Sequence, residues 1–109
     1  MGNKQKLIIL FATWCSDSQR TFKALKSSPL YNNPKLQIIG IGREESVGSL
    51  KEFNDEYQLN FKLVSDLNRE IYSQYANKGI PRLIVLDANN QVMQTLIAEE
   101  ENSLTKIKL

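Results

Sequence analysis

The sequence has no histidine and a single cysteine, Cys15, among its 109 residues. Histidine is the commonest general base and the commonest metal ligand in proteins, so histidine-dependent catalysis and most zinc sites are excluded. A lone cysteine cannot form a disulfide within the chain, nor can it supply the ligand set of a structural zinc site. We therefore expect no metal and no cofactor.

Long apolar segments and charge of one sign are also absent. The longest apolar run, residues 7–12, is far shorter than the roughly 20 residues that span a bilayer. The net charge is only +2, with acids and bases mixed along the chain, which predicts no nucleic-acid partner. The length suits one compact domain over residues 1–109. The abrupt start at Met1, without a targeting segment, leads us to expect a domain trimmed from a longer chain.

What the sequence does contain is an alternation of apolar runs and helix-like stretches, the pattern of an α/β domain. Residues 7–12 form an unbroken apolar run, as in a central strand covered on both faces. Helical spacing predicts an α-helix over residues 16–26, and residues 36–41 predict a second buried strand. Ser46 is expected to cap a second helix whose apolar stripe begins at Val47.

The second half of the chain continues this alternation. Residues 61–64 could form a minor strand, and Asp66 or Asn68 could cap a short helix after it. A strong strand is predicted at residues 83–86. Turn-forming residues follow it, so residues 92–97 should return as an antiparallel hairpin partner.

A last helix is expected from Ser103 onward. The whole order is then β-α-β-α-short α-β-β-α. Two βαβ-like crossovers, a hairpin and a final helix predict a mixed central sheet of about four to five strands with helices on both faces.

Cys15 is the residue with the clearest chemical potential. It lies at the junction of the first strand and the first helix, where unpaired backbone N–H groups and the helix dipole favour the thiolate. A thiolate is the nucleophile of disulfide exchange. Ser18, one turn later, can donate a hydrogen bond to the sulfur, whereas Asp17 would oppose ionisation. Trp14 would shield one side of the sulfur and offer a flat apolar surface to a substrate.

Two segments together resemble the thioredoxin superfamily. These are residues 11–15, Phe-Ala-Thr-Trp-Cys, and residues 79–87, which begin Gly-Ile-Pro. Within that superfamily the chain is most similar to thiol-disulfide oxidoreductases of the TlpA/ResA type. Residues 39–42 and 61–66 resemble segments of that branch as well, so the similarity covers nearly the whole chain, without the branch's usual N-terminal extension.

The resemblance implies a thioredoxin-like fold and a substrate groove. It implies that the peptide bond before Pro81 is cis and that Pro81 faces Cys15, with Trp14 on the other side of the groove. The backbone around Ile80 would then pair with an extended substrate chain. Cis peptide bonds are rare and are kept where a tight turn requires them.

One departure from the family pattern changes the expected chemistry. The family carries Cys-x-x-Cys, whereas this chain has Cys15-x-x-Ser18. A serine hydroxyl cannot attack a mixed disulfide and release the substrate, so the dithiol cycle is blocked. Ser18 is compatible with a natural monothiol enzyme, an engineered replacement or a decayed site, and the sequence leaves all three open.

The resemblance therefore predicts a thiol-disulfide oxidoreductase acting on protein thiols and disulfides through Cys15 and Ser18. An external thiol, such as glutathione or a reducing partner, would resolve its mixed disulfide. The alternative is a redox-inactive module that binds peptides in the same groove. Family analogy places the protein outside the cytoplasm of a bacterium, periplasmic or anchored to a membrane, and we expect a monomer.

Overall fold

The computed structural model describes residues 4–75, 81–97 and 103–107 of the chain. Within these ranges, five strands and three α-helices form the scaffold, and two short 3-10 helices cover Pro29–Asn32 and Ser103–Lys106. The order along the chain is β1 (Gln5–Phe11), α1 (Ser16–Lys26), β2 (Leu36–Arg43), α2 (Val47–Tyr57), β3 (Lys62–Asp66), α3 (Glu70–Tyr75), β4 (Arg82–Leu86) and β5 (Val92–Ile97).

The strands form one mixed sheet in the order β3-β2-β1-β4-β5. β1, β2 and β3 are parallel, β4 runs antiparallel to β1, and β5 runs antiparallel to β4. The predicted mixed sheet and the predicted β4–β5 hairpin are thereby confirmed. Phe11, the last residue of β1, lies beside Gly42 of β2, and Leu10 lies opposite Arg82 of β4. The end of β1 is therefore where β2 ends and β4 begins.

The sheet separates two apolar layers, because successive side chains of a strand point to opposite faces. Alternate residues of β1 starting at Leu7 pack with Phe22 of α1 and Phe53 of α2. The intervening residues, starting at Ile8, pack with Tyr72 of α3. Helices thus cover both faces, as the sequence predicted.

An aromatic cluster fixes α1 and α2 against β1. The ring centroids of Phe11 and Phe22 are 4.6 Å apart, and both rings lie within 5.4 Å of Phe53. Edge-to-face aromatic pairs of this kind contribute about 0.5–1.5 kcal/mol beyond the burial of their area. Because Phe11 ends β1 and Phe22 lies in α1, the cluster sets the position of the loop between them.

Several local predictions are confirmed. Ser46 caps α2, with its Oγ accepting the N–H of Ser49 at 3.1 Å. The Asp66 carboxylate accepts the N–H groups of Ile71 and Tyr72 in the first turn of α3. Both residues act on backbone groups that a helix start leaves without a partner.

Three details differ from the sequence predictions. Val47 is 74% exposed, because it is the first residue of α2 and lies beyond the end of β2; the apolar face of α2 starts at Leu50. The minor strand runs over Lys62–Asp66 rather than residues 61–64, since it pairs with the last five residues of β2. The described part of the last predicted helix is a single 3-10 turn that buries Leu104.

Candidate functional site

Cys15 is the residue immediately before α1. Its backbone is extended, with φ −83° and ψ 122°, and its carbonyl accepts the N–H of Gln19 at 3.0 Å to open the helix. The Cys15 side chain makes no capping hydrogen bond, and it is only partly buried. Cys15 therefore lies at the positive end of α1 and is not a fully buried core residue.

The first turn of α1 also carries an acidic residue. Asp17 forms an ion pair with Arg20 at 2.9 Å, and both side chains are about one-third exposed. The guanidinium counters the negative charge of the Asp17 carboxylate within the same helical turn. The opposition of Asp17 to thiolate formation stays a prediction.

Most backbone polar groups of the loop between β1 and α1 form hydrogen bonds. The N–H of Cys15 donates to the carbonyl of Ala12 at 3.2 Å. The carbonyl of Thr13 accepts Nε2 of Gln19 at 2.8 Å. The N–H of Thr13 donates to the carboxylate of Glu45 at 2.7 Å. A loop with its donors and acceptors satisfied in this way has few alternative conformations.

Ser18 is completely buried beneath this loop. Its Oγ accepts the N–H of Ala12 at 3.3 Å, so the hydroxyl joins the first turn of α1 to the end of β1. A hydroxyl can accept and donate at once, which leaves its hydrogen available to the Cys15 sulfur. The role of Ser18 as a donor to that sulfur stays a prediction.

Glu45 is a site residue that the sequence analysis missed. It is only 7% exposed, and its Oε2 accepts both the N–H and the hydroxyl of Thr13, at 2.7 and 2.8 Å. Its Oε1 accepts the hydroxyl of Ser49 at 2.7 Å. In the sequence Glu45 is one of two adjacent acids before a helix cap, a common surface pattern. The pairing of Phe11 with Gly42 is the only signal that would have placed it near Thr13.

The proposed substrate groove is described in part. Trp14 is 69% exposed beside Cys15, and Pro81 is fully buried. Pro81 directly precedes Arg82, the residue opposite Leu10, so Pro81 and Cys15 both lie at the end of β1. Ile80, and with it the peptide bond before Pro81, lies outside the described residues.

Two cavities among the described residues lie away from the thiol. One of about 410 Å³ is lined by residues at the beginnings of β2 and β3, including Leu36 and Lys62, which is the end of the sheet opposite Cys15. Another of about 330 Å³ lies between α2 and β3. Within residues 4–75, 81–97 and 103–107, no three acidic or cysteine side chains come together as a potential metal site. In the same ranges, no helix has the length and apolar character needed to cross a bilayer.

Comparison with known proteins gives a family match over most of the chain. A family model described as thioredoxin-like matches residues 3–92. Curated relatives include proteins named thiol-disulfide oxidoreductase ResA. The protein from Bacillus anthracis is 23% identical over 101 residues, covering 92% of this chain and 58% of the relative. The protein from Geobacillus kaustophilus is 23% identical over 87 residues, covering 79% and 50%. The chain thus spans between 50% and 58% of the length of these relatives.

Solved structures share the fold. A secreted Mycobacterium tuberculosis disulfide oxidoreductase, described as homologous to DsbE of E. coli, superposes with a TM-score of 0.72 at 19% identity, covering 94% of this chain and 78% of that one. StoA from Bacillus subtilis gives a TM-score of 0.67 at 15% identity, covering 95% and 81%. Both matches support the five-stranded sheet with its helices as a thioredoxin-like architecture.

Proposed function

Since the chain belongs to the thioredoxin-like family, we propose that it carries out thiol–disulfide exchange on protein substrates, with Cys15 as the nucleophile. The observation that supports this most is the position of its only thiol. Cys15 is only partly buried at the start of α1, and its side chain is not used to cap the helix. Helix N-termini stabilise thiolates, and thiolates perform the exchange. The relatives named ResA are thiol-disulfide oxidoreductases, in agreement with this chemistry.

The proposed first step is a single displacement. The Cys15 thiolate attacks one sulfur of a substrate disulfide, and a new S–S bond forms between Cys15 and that sulfur. The substrate S–S bond breaks, and its second sulfur leaves as a thiolate that takes up a proton. Cys15 is oxidised to the mixed disulfide, and one substrate cysteine is reduced.

The second step requires a thiol from outside the chain. Ser18 is buried next to the loop but carries oxygen instead of sulfur, so it cannot displace the substrate from Cys15. A small thiol of the glutathione class, or a cysteine of a reducing partner, attacks the Cys15 sulfur as a thiolate, so that the bond to the substrate breaks and the substrate cysteine leaves and takes up a proton. A second thiol of the same class then attacks the outer sulfur of the new mixed disulfide. The two external thiols leave as a disulfide, and Cys15 returns to its thiolate. The protein is therefore proposed to act as a monothiol oxidoreductase.

Two surfaces are proposed to hold the substrate beside the sulfur. The exposed indole of Trp14 offers an apolar face on one side. On the other side, the backbone around Ile80 would receive an extended segment in a strand-like manner, next to Pro81, whose own side chain is buried. We propose that the protein works as a monomer. We also propose an extracytoplasmic location, which the secreted Mycobacterium tuberculosis relative of the same fold supports.

The proposed exchange can be tested by trapping the mixed disulfide. The protein is incubated with a protein disulfide such as insulin, quenched with acid and analysed by mass spectrometry. We expect one adduct at Cys15, released by reduced glutathione, and none in Cys15→Ser. A rate of adduct formation no higher than that of the urea-unfolded chain would overturn the proposal.

A redox-inactive peptide-binding module is the second candidate, favoured by the serine at position 18 and by the exposure of Trp14. This alternative predicts that Cys15→Ala retains the affinity for a peptide lacking cysteine, whereas Trp14→Ala loses it. Isothermal titration calorimetry with such a peptide separates the two candidates. Loss of binding in Cys15→Ala would remove the second one.

A further inference from the structure

We infer that Glu45 is a positioning residue for the Cys15 thiol, acting through Thr13 and not by contact with the substrate. The inference rests on the proposed function, since it concerns the reactivity of the same sulfur. Glu45 is 30 positions beyond Cys15 in the sequence and belongs to the segment after β2. Its carboxylate nevertheless binds the loop that carries Cys15.

The Glu45 carboxylate supplies the acceptor that the sheet no longer provides. β1 ends at Phe11, so the N–H of Thr13 has no partner on a neighbouring strand. Oε2 of Glu45 accepts this N–H at 2.7 Å and the Thr13 hydroxyl at 2.8 Å. One oxygen thereby fixes both the backbone and the side chain of Thr13. Hydrogen bonds to a charged acceptor are about twice as strong as neutral ones.

The carboxylate is itself held from several directions. Ser49 donates its hydroxyl to Oε1 at 2.7 Å, and the hydroxyl of Ser65 donates to the Glu45 carbonyl. Gly42 makes the necessary room, because a Cβ there would lie 3.0 Å from both Cβ and Cγ of Glu45. Glu44, in the left-handed region with φ 60°, turns the chain after β2. These contacts fix the buried Glu45 side chain in one position, unlike a glutamate exposed on the surface.

The bond from Glu45 acts two residues before Cys15. The Thr13 N–H is bound by Glu45 and its carbonyl by Gln19, so the peptide units on both sides of Thr13 are fixed. Without the carboxylate, the N–H of Thr13 is left unsatisfied in a partly buried position, and the loop must rearrange to hydrate it. Cys15 would then lose its fixed place at the start of α1.

The test compares two substitutions of Glu45. Glu45→Gln keeps an oxygen for both Thr13 donors, and the Ser49 hydroxyl can turn to accept from the amide. Glu45→Ala removes every acceptor. We expect the reaction rate of Cys15 with iodoacetamide and with a small aromatic disulfide to fall roughly tenfold in Glu45→Ala, since a misplacement of about 1 Å at a reacting group can cost up to about a hundredfold. In Glu45→Gln the rate should stay within about twofold of the unsubstituted protein.

Asp66 offers a matched control. It is 4% exposed and accepts two backbone N–H groups, but those belong to α3 and not to the Cys15 loop. We expect Asp66→Ala to lower the free energy of unfolding as Glu45→Ala does while leaving the Cys15 rate unchanged. Rates measured in urea-unfolded chains should be equal for all variants, which shows that the difference arises in the folded loop.

Two results would overturn the inference. One is a Cys15 rate in Glu45→Ala that stays within about twofold of the rate in the unsubstituted protein. If Glu45→Ala fails to fold, the corresponding result is a rate in Glu45→Gln that falls by more than about twofold. The other is an equal loss of rate in Asp66→Ala, which would mark a general effect of destabilisation. Small reagents measure only the reactivity of the Cys15 thiol. A failure of exchange with protein disulfides would therefore overturn the proposed function, while the effect of Glu45 on the thiol could still be measured.

Discussion

The buried hydroxyl of Ser18 accepts the backbone N–H of Ala12 at 3.3 Å. This bond crosses the loop that carries Cys15 and joins the first turn of α1 to the last residues before the loop. A second thiol at position 18 would be a weaker acceptor for this N–H. Serine therefore has a structural role at position 18, one turn after Cys15.

Removal of the Ser18 hydroxyl should destabilise the fold. In Ser18→Ala the Ala12 N–H loses its acceptor in a buried environment, which costs about 1–3 kcal/mol. Urea unfolding followed by circular dichroism measures this loss. Ser16→Ala, an exposed serine in the same turn, is the control and should change the stability by no more than about 0.5 kcal/mol. Equal effects of the two substitutions would contradict the role of the hydroxyl.

Introduction of a thiol at position 18 should complete a dithiol cycle. In Ser18→Cys the new sulfur lies one turn from Cys15, where side chains are about 5–6 Å apart at Cβ. It can attack the mixed disulfide, form an internal disulfide with Cys15 and release the reduced substrate. We expect insulin reduction by dithiothreitol to proceed at least about tenfold faster than with the unsubstituted protein, because the resolving thiol is now intramolecular. The double variant Cys15→Ser, Ser18→Cys should show no gain.

The aromatic cluster of Phe11, Phe22 and Phe53 should contribute most of the stability of the apolar layer between the sheet and helices α1 and α2. Phe22 is fully buried between Phe11 and Phe53, so Phe22→Ala leaves a cavity and should cost about 3–5 kcal/mol. Chemical denaturation of this variant and of Val92→Ala, which changes an exposed strand residue, provides the comparison. A loss below about 1 kcal/mol for Phe22→Ala would mean that the layer repacks around the missing ring.

Stability at alkaline pH should depend on Tyr57. Burial raises the pKa of the Tyr57 phenol above its usual value of 10.0, and the charge of Glu56 adds to this. The folded state then holds the phenol proton more tightly than the unfolded state. Ionisation of Tyr57 therefore leaves the free energy of unfolding unchanged below the phenol pKa of the unfolded chain. The free energy of unfolding then falls as the pH rises through the phenol pKa of the folded protein.

Unfolding experiments near neutral pH and about one unit above the usual tyrosine pKa measure this dependence. Tyr57→Phe should lose less stability between the two conditions than the unsubstituted protein. Glu56→Gln should show a smaller reduction of the same loss, because it removes only the lesser cause. An unchanged pH dependence in Tyr57→Phe would assign the alkaline loss to other groups.

Most of the scaffold could be predicted from the sequence because it depends on local patterns. The unbroken apolar run of β1, the cap at Ser46 and the turn before β5 each carry their signal within a few residues. Cys15 could be located for the same reason, since a strand-to-helix junction is visible locally.

The contacts that fix the loop carrying Cys15 could not be predicted in the same way. Glu45 reaches Thr13 only because β1 and β2 pair in parallel with Phe11 beside Gly42, a relationship between distant segments. Helical spacing predicts Val47 in the apolar stripe of α2, yet Val47 is exposed, because spacing does not reveal where the neighbouring sheet ends. Register and the extent of a neighbouring surface are properties of the assembled fold.

The adjacency of Trp14 and Cys15 gives the molecule an internal optical reporter. Each is the only residue of its type in the chain, and the indole is largely exposed to water. Fluorescence emitted by this one fluorophore should respond to whatever becomes attached to the neighbouring sulfur. Time-resolved emission could therefore follow every event at the thiol without a label, and no second tryptophan would obscure the signal.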